Sequence, residues 1–130
     1  MKEIKSQEKI YLQNYEIEVV PYLTYTQIQQ IINAVIKFDS WSERQQNIDL
    51  LLLYHTTNIS TEEIEKYRHS LLLESGLIDA VKNVVKNLNQ VYEGINYTES
   101  IQRSLTQIVK ILTEKFNGLE KRNKIVSSKK

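Results

Sequence analysis

In the last third of the chain, Leu77, Val81, Val84, Leu88, Val91 and Ile95 recur at intervals of 4, 3, 4, 3 and 4 residues. An α-helix turns once in about 3.6 residues, so this rhythm lines one helix face, whereas the faces of a strand alternate every second residue. Ile101, Leu105, Ile108, Leu112, Phe116 and Leu119 form a second stripe. The step from Ile95 to Ile101 is six residues, which fits neither three, four nor a heptad, and Gly94 sits at the slip. The spacing predicts a break or sharp kink there, with Leu77–Glu93 and Thr98–Leu119 as separate helices packed antiparallel. One continuous bent helix is the alternative.

Upstream, three helix starts carry the same chemistry. Thr24 with Gln27, Ser40 with Glu43 and Ser60 with Glu63 have capping-box spacing, in which a hydroxyl satisfies a backbone donor the first turn leaves orphaned. Ile28, Ile31, Ile32 and Val35 then share one face of a first helix running to about Phe38. The second helix holds Leu50-Leu51-Leu52-Leu53, apolar all round, which predicts a central, buried helix. The third carries Ile64, Tyr67 and Leu71 and stops at Gly76, a residue that tolerates the left-handed C-cap conformation.

The N-terminus reads differently. Lys9–Gln13 and Glu16–Val20 alternate with period two and hold β-branched and aromatic residues, predicting a hairpin over about residues 8–20, turned at Asn14-Tyr15 and stopped by Pro21. Two strands alone are marginal in water, so the hairpin needs a helix to lie against. The expected fold is mainly α, a bundle of about five helices with a short N-terminal β-hairpin.

With 130 residues, 41% hydrophobic and 25% charged, the chain has enough apolar material for a real core. No Pro- or Gly-rich linker divides it, so we expect one domain over residues 1–120 and a basic, frayed tail at 121–130. The chain has no cysteine, which removes disulfides, thiolate nucleophiles and thiolate metal sites and fits a reducing compartment. Met1-Lys2-Glu3-Ile4-Lys5 lacks the apolar core of a secretory signal. The longest apolar run, Leu50–Tyr54, is far below the ~18 residues of a membrane span, so a soluble protein with no membrane partner is expected. Abundant Ile, Lys, Asn and Tyr have AT-rich codons and point to a low-GC bacterial or phage genome.

Catalytic chemistry finds little to work with. The three glycines, Gly76, Gly94 and Gly118, are isolated and build no phosphate-cradling loop. No Gly-x-Ser-x-Gly elbow is present, and Asp39, Asp49 and Asp79 are not paired in an acid–base pattern. The two histidines, His55 and His69, fall short of the three protein ligands usual for catalytic zinc; Glu65 and Glu74 are the candidates nearest His69. His55, in Tyr54-His55-Thr56-Thr57, reads as the end of a buried helix with polar tips reaching water. We expect no catalytic residue, no metal, no cofactor and no enzyme.

Binding surfaces are better represented. Tyr11, Tyr15, Tyr22, Tyr25 and Trp41 are the residue types found in interface hot spots, and equally suit the edge of a small core. The net charge is +1, giving no global field for nucleic acid, yet Lys110, Lys115, Lys121, Arg122 and Lys124 gather toward the C-terminus. They could neutralise phosphates along a helix, or form a solvated face with cations where the helix dipole favours them. Nucleic acid is the lesser of these readings.

Val20-Pro21-Tyr22-Leu23-Thr24-Tyr25, Leu53-Tyr54-His55-Thr56-Thr57-Asn58-Ile59 and Glu74-Ser75-Gly76-Leu77-Ile78-Asp79 give the chain a resemblance to small helical proteins encoded by phages of low-GC bacteria. It spans roughly residues 8–116. Such proteins are encoded among virion structural and assembly genes and have no assigned activity, so no functional residue carries over. The resemblance implies a non-enzymatic interaction or structural component in the virion or in the cytoplasm of the bacterial host, whose partners are phage structural proteins or a host protein. A small phage-encoded inhibitor of a host enzyme is the alternative, and a nucleic-acid accessory protein the third. The two apolar stripes either face each other within one chain or seal a homo-oligomer.

Overall fold

The computed structural model describes residues 1–3 and 8–128, with side chains as far as Arg122. Its elements run in the order β1 (Ile10–Leu12), β2 (Ile17–Val19), α1 (Tyr25–Val35), α2 (Trp41–Thr56), α3 (Thr61–Glu74), α4 (Leu77–Val84) and α5 (Asn89–Ser128). The fold is mainly α with a short N-terminal hairpin, as the periodicities predict. The chain divides into two compact units, Met1–Ile95 and Asn96–Lys130.

In the first unit the hairpin is antiparallel, with Ile10 opposite Val19, Tyr11 opposite Glu18 and Leu12 opposite Ile17. Alternation along β2 drives Ile17 and Val19 into the core and leaves Glu18 outside. The outer edge of β2 is covered by the end of α2. Val20 N–H donates to Thr56 O at 2.7 Å, Asn58 N–H donates to Glu18 O, and the Asn58 side chain accepts from Glu18 N–H at 3.0 Å. A two-strand ribbon is thereby held by a helix end, which satisfies an otherwise open edge.

The helix starts follow the capping signals. Thr24 closes the full reciprocal box with Gln27, whereas Ser40 and Ser60 each accept from the backbone N–H three residues on. Arg44, buried on α2, turns back to cap α1: its guanidinium donates to the carbonyls of Phe38 and Ile36 and stacks over Trp41. Gly76 takes φ +84° between α3 and α4, where a Cβ would also meet Tyr15 Oη at 2.9 Å. The buried apolar side chains among the described residues run from Ile17 to Ile95 and form one cluster.

The break expected at Gly94 is not there. Helix α5 runs through Gly94, and the interruption falls between Val84 and Asn89 instead. Val85 is extended, Lys86 N–H donates to Pro21 O at 2.8 Å, and the Asn87 side chain both donates to and accepts from the backbone of Leu23 at 2.9 Å. These bonds to the loop before α1 replace the helical ladder. Gly94 serves close packing, because a Cβ there would overlap the end of Ile32.

The first stripe is consumed in the core, with Leu77, Val81, Val91 and Ile95 buried. In the second unit the other stripe stands exposed, with Ile101 at 42%, Leu112 at 59% and Phe116 at 61%. The tail expected to fray at 121–130 lies largely beyond the described side chains, and the α5 backbone continues helical to Ser128.

Candidate functional site

Within the first unit, one polar cluster stands inside the apolar packing. Asp49 sits on α2 between Ile48 and Leu50, so the face it shares with Leu52 and Leu53 takes its carboxylate out of water. An ionised carboxylate there requires donors, and three arrive. Gln45, one turn earlier on α2, donates Nε2 to Oδ1 at 2.8 Å. Lys82 of α4 places Nζ 2.7 Å from the same oxygen, and His69 of α3 places Nε2 2.7 Å from Oδ2. Tyr92 of α5 donates its hydroxyl to Gln45 Oε1 at 3.0 Å.

His69 is aimed by a fault in its own helix. Arg68 has φ 59° and ψ 158°, which splits α3 into two segments, and His69 opens the second. The cluster opens on a cleft of about 620 Å³ lined also by Ser42, Gln46, Ser70, Leu73 and Glu74. His69 and Lys82 are partly exposed in it.

The contact runs from the His69 ring to a carboxylate oxygen, so the imidazole is oriented by Asp49. An Asp-oriented imidazole is two-thirds of a nucleophilic triad, yet neither Ser42 nor Ser70 is hydrogen-bonded to His69 among the described residues. No grouping of three or more metal-ligating side chains occurs among them. With donors on both carboxylate oxygens, the cluster ties α2, α3, α4 and the start of α5 together. Sequence reasoning missed it, pairing His69 with Glu65 or Glu74 on its own helix. The available signal was a lone carboxylate inside an otherwise apolar run, with Gln45 a turn away.

His55 lies elsewhere, near the C-terminus of α2 with Tyr54 edge-on to its ring at 5.1 Å. Burial there lowers its pKa from 6.5 and favours the neutral ring.

The aromatic candidates fall on separate elements. Tyr15 packs on the core and donates its hydroxyl to Ser75 O at 2.9 Å. Tyr11, Tyr22, Tyr25 and Trp41 are exposed, Tyr22 under Lys86 and Trp41 under Arg44. Among the basic candidates, Lys110, Lys115, Lys121 and Arg122 are exposed on α5, and the Lys124 side chain lies outside the described residues. At about 100° per residue, Lys110 and Lys121 share one side of the helix and Lys115 and Arg122 another, so no single phosphate track meets all four.

The α5 helix carries an exposed apolar stripe. Ile101, Leu105, Ile108, Leu112, Phe116 and Leu119 lie along one side, flanked by Val109 and Ile111, and every one of them is exposed. From Ile111 to Val109 these apolar side chains span roughly 160° of the circumference, wider than the two-position seam of a simple coiled coil, with Lys115 set among them near Ile111. No helix among the described residues is long and apolar enough to cross a membrane.

These features define a mainly α protein with an N-terminal hairpin and a long amphipathic helix. Comparison with known proteins yields no matching family model, no matching curated protein and no matching solved structure.

Proposed function

We propose that the protein is a non-enzymatic interaction or structural component that docks on a protein partner through the apolar face of α5. The observation that carries this reading is the eight-residue apolar arc, each side chain 42 to 61% exposed. Contiguous apolar surface on this scale marks an interaction site, because burying it is favourable and leaving it in water is not. The opposite side of α5 holds Lys110, Glu114 and Lys121, which keeps the helix oriented toward its partner. The resemblance to phage-encoded proteins directs the reading toward a virion or assembly subunit. A host enzyme as the captured partner would instead make the protein a regulator.

A photo-crosslinking residue in place of Leu112, compared with one in place of Lys110 on the opposite side, tests the docking. Protein adducts are expected from position 112 and not from position 110. Equal adducts from both positions, or adducts to nucleic acid, would overturn the reading.

A further inference from the structure

We infer that the partner of the α5 stripe is the same stripe on further copies of this chain, gathered as a parallel coiled coil of three or four strands. The inference rests on the docking reading above and names its occupant.

The order of side chains along the stripe carries the argument. Ile101, Leu105, Ile108 and Leu112 are spaced 4, 3 and 4 residues apart, which sets Leu105 and Leu112 at heptad position a and Ile101 and Ile108 at position d. Two-stranded parallel coils favour the reverse, with β-branched residues at a and leucine at d. Leucine at a with isoleucine at d favours three or four strands, because branching at the β-carbon suits the knob geometry of d only in the wider bundle.

The width of the arc agrees. In this frame Val109 occupies position e and Ile111 position g, and both are apolar and exposed. A helix in a dimer has one neighbour and leaves e and g near water. In a bundle of three or four it has two neighbours, and the flanking positions are covered. Each of the eight exposed side chains carries on the order of 100 Å² of apolar surface, about 800 Å² per chain, which is what one side of a stable interface buries.

Charge gives the direction. After Leu112 the spacing of four to Phe116 and three to Leu119 restarts the frame, a four-residue insertion of the kind that locally unwinds a coil. Lys115 then stands at g and Glu120 at the following e. In a parallel, in-register bundle these two positions on neighbouring helices face each other with opposite sign. An antiparallel pairing sets g against g and e against e, and loses the pair. Parallel helices related by rotation about a common axis also close into a ring, a closed symmetry of the kind homo-oligomers adopt.

Sedimentation equilibrium of the full chain should give three or four times the 15.3 kDa chain mass. The variant I101L/L105I/I108L/L112I keeps the composition of the face and reverses the order, and is expected to sediment as a dimer; L105D/L112D is expected to be monomeric. The chain has no native cysteine, so I101C and I108C report direction separately: in a parallel in-register bundle each forms a disulfide with its own copy at a similar rate. A wild-type monomer or dimer, or self-crosslinking at only one of the two positions, would overturn the inference. If that happens while the crosslinker at position 112 still captures a different protein, the docking reading survives without it. If the monomer instead gains protection on vesicles of phosphatidylcholine and phosphatidylserine, both fall, and the face is a lipid-seeking one.

Discussion

Arg68 occupies a backbone region that is essentially reserved for glycine, at φ 59° and ψ 158°. Such a conformation costs about 1–3 kcal/mol and persists only where surrounding contacts impose it. Here the neighbouring residue supplies the imposing contact, since His69 bonds Asp49 across 2.7 Å. Replacing Arg68 with glycine removes the Cβ clash, and about 0.5–1 kcal/mol of that gain is offset by the greater freedom of the unfolded chain. R68G should therefore raise stability by about 1 kcal/mol, read as an upward shift of the urea midpoint with an unchanged slope. A lower midpoint would mean that the arginine side chain, not its backbone, matters at this position.

At the scale of elements, the connection between α4 and α5 shows how a helix stop can be made without glycine or proline. The Asn87 amide imitates a strand partner for Leu23, and Lys86 N–H reaches Pro21 O, so helical hydrogen bonds have competitors about 64 residues away in sequence. Gly94 does the opposite of what its type suggests, lying inside α5 against Ile32. G94A would gain about 1 kcal/mol of helix propensity, but would force a methyl into the buried Ile32 side chain, an overpacking cost of about 1–3 kcal/mol. The expected net is a loss of about 1 kcal/mol in thermal or urea unfolding. Gly118, on the same helix with nothing within 4 Å of an added Cβ, is the control: G118A should raise the helical signal in far-UV circular dichroism. A stabilised G94A would show that Ile32 moves aside freely.

For the molecule as a whole, the Asp49 cluster is a charged knot in the core of the first unit. A buried ion pair seldom beats well-packed apolar residues, but removing one partner strands the others. D49A would leave Lys82 and His69 facing a void, and because both are partly exposed the cost belongs at the lower end of the usual range, about 3 kcal/mol. A domain of this size has only about 5–15 kcal/mol in hand, so the melting temperature should fall by more than 10 °C. A D49A protein that melts like the wild type would remove the cluster's structural role.

Local rhythm was enough to establish the first three helices, the three caps, the hairpin and the left-handed Gly76, because periodicity and capping depend on residues within one or two turns of each other. The same rhythm exposed the second stripe, the surface on which the proposed docking rests. Tertiary structure alone decided where the last helix begins, what Gly94 is for, and that Asp49 gathers His69 and Lys82. Each of those outcomes depends on partners 20 or more residues apart, and nothing in the local pattern of a chain records which distant group will reach a given carbonyl, methyl or carboxylate first.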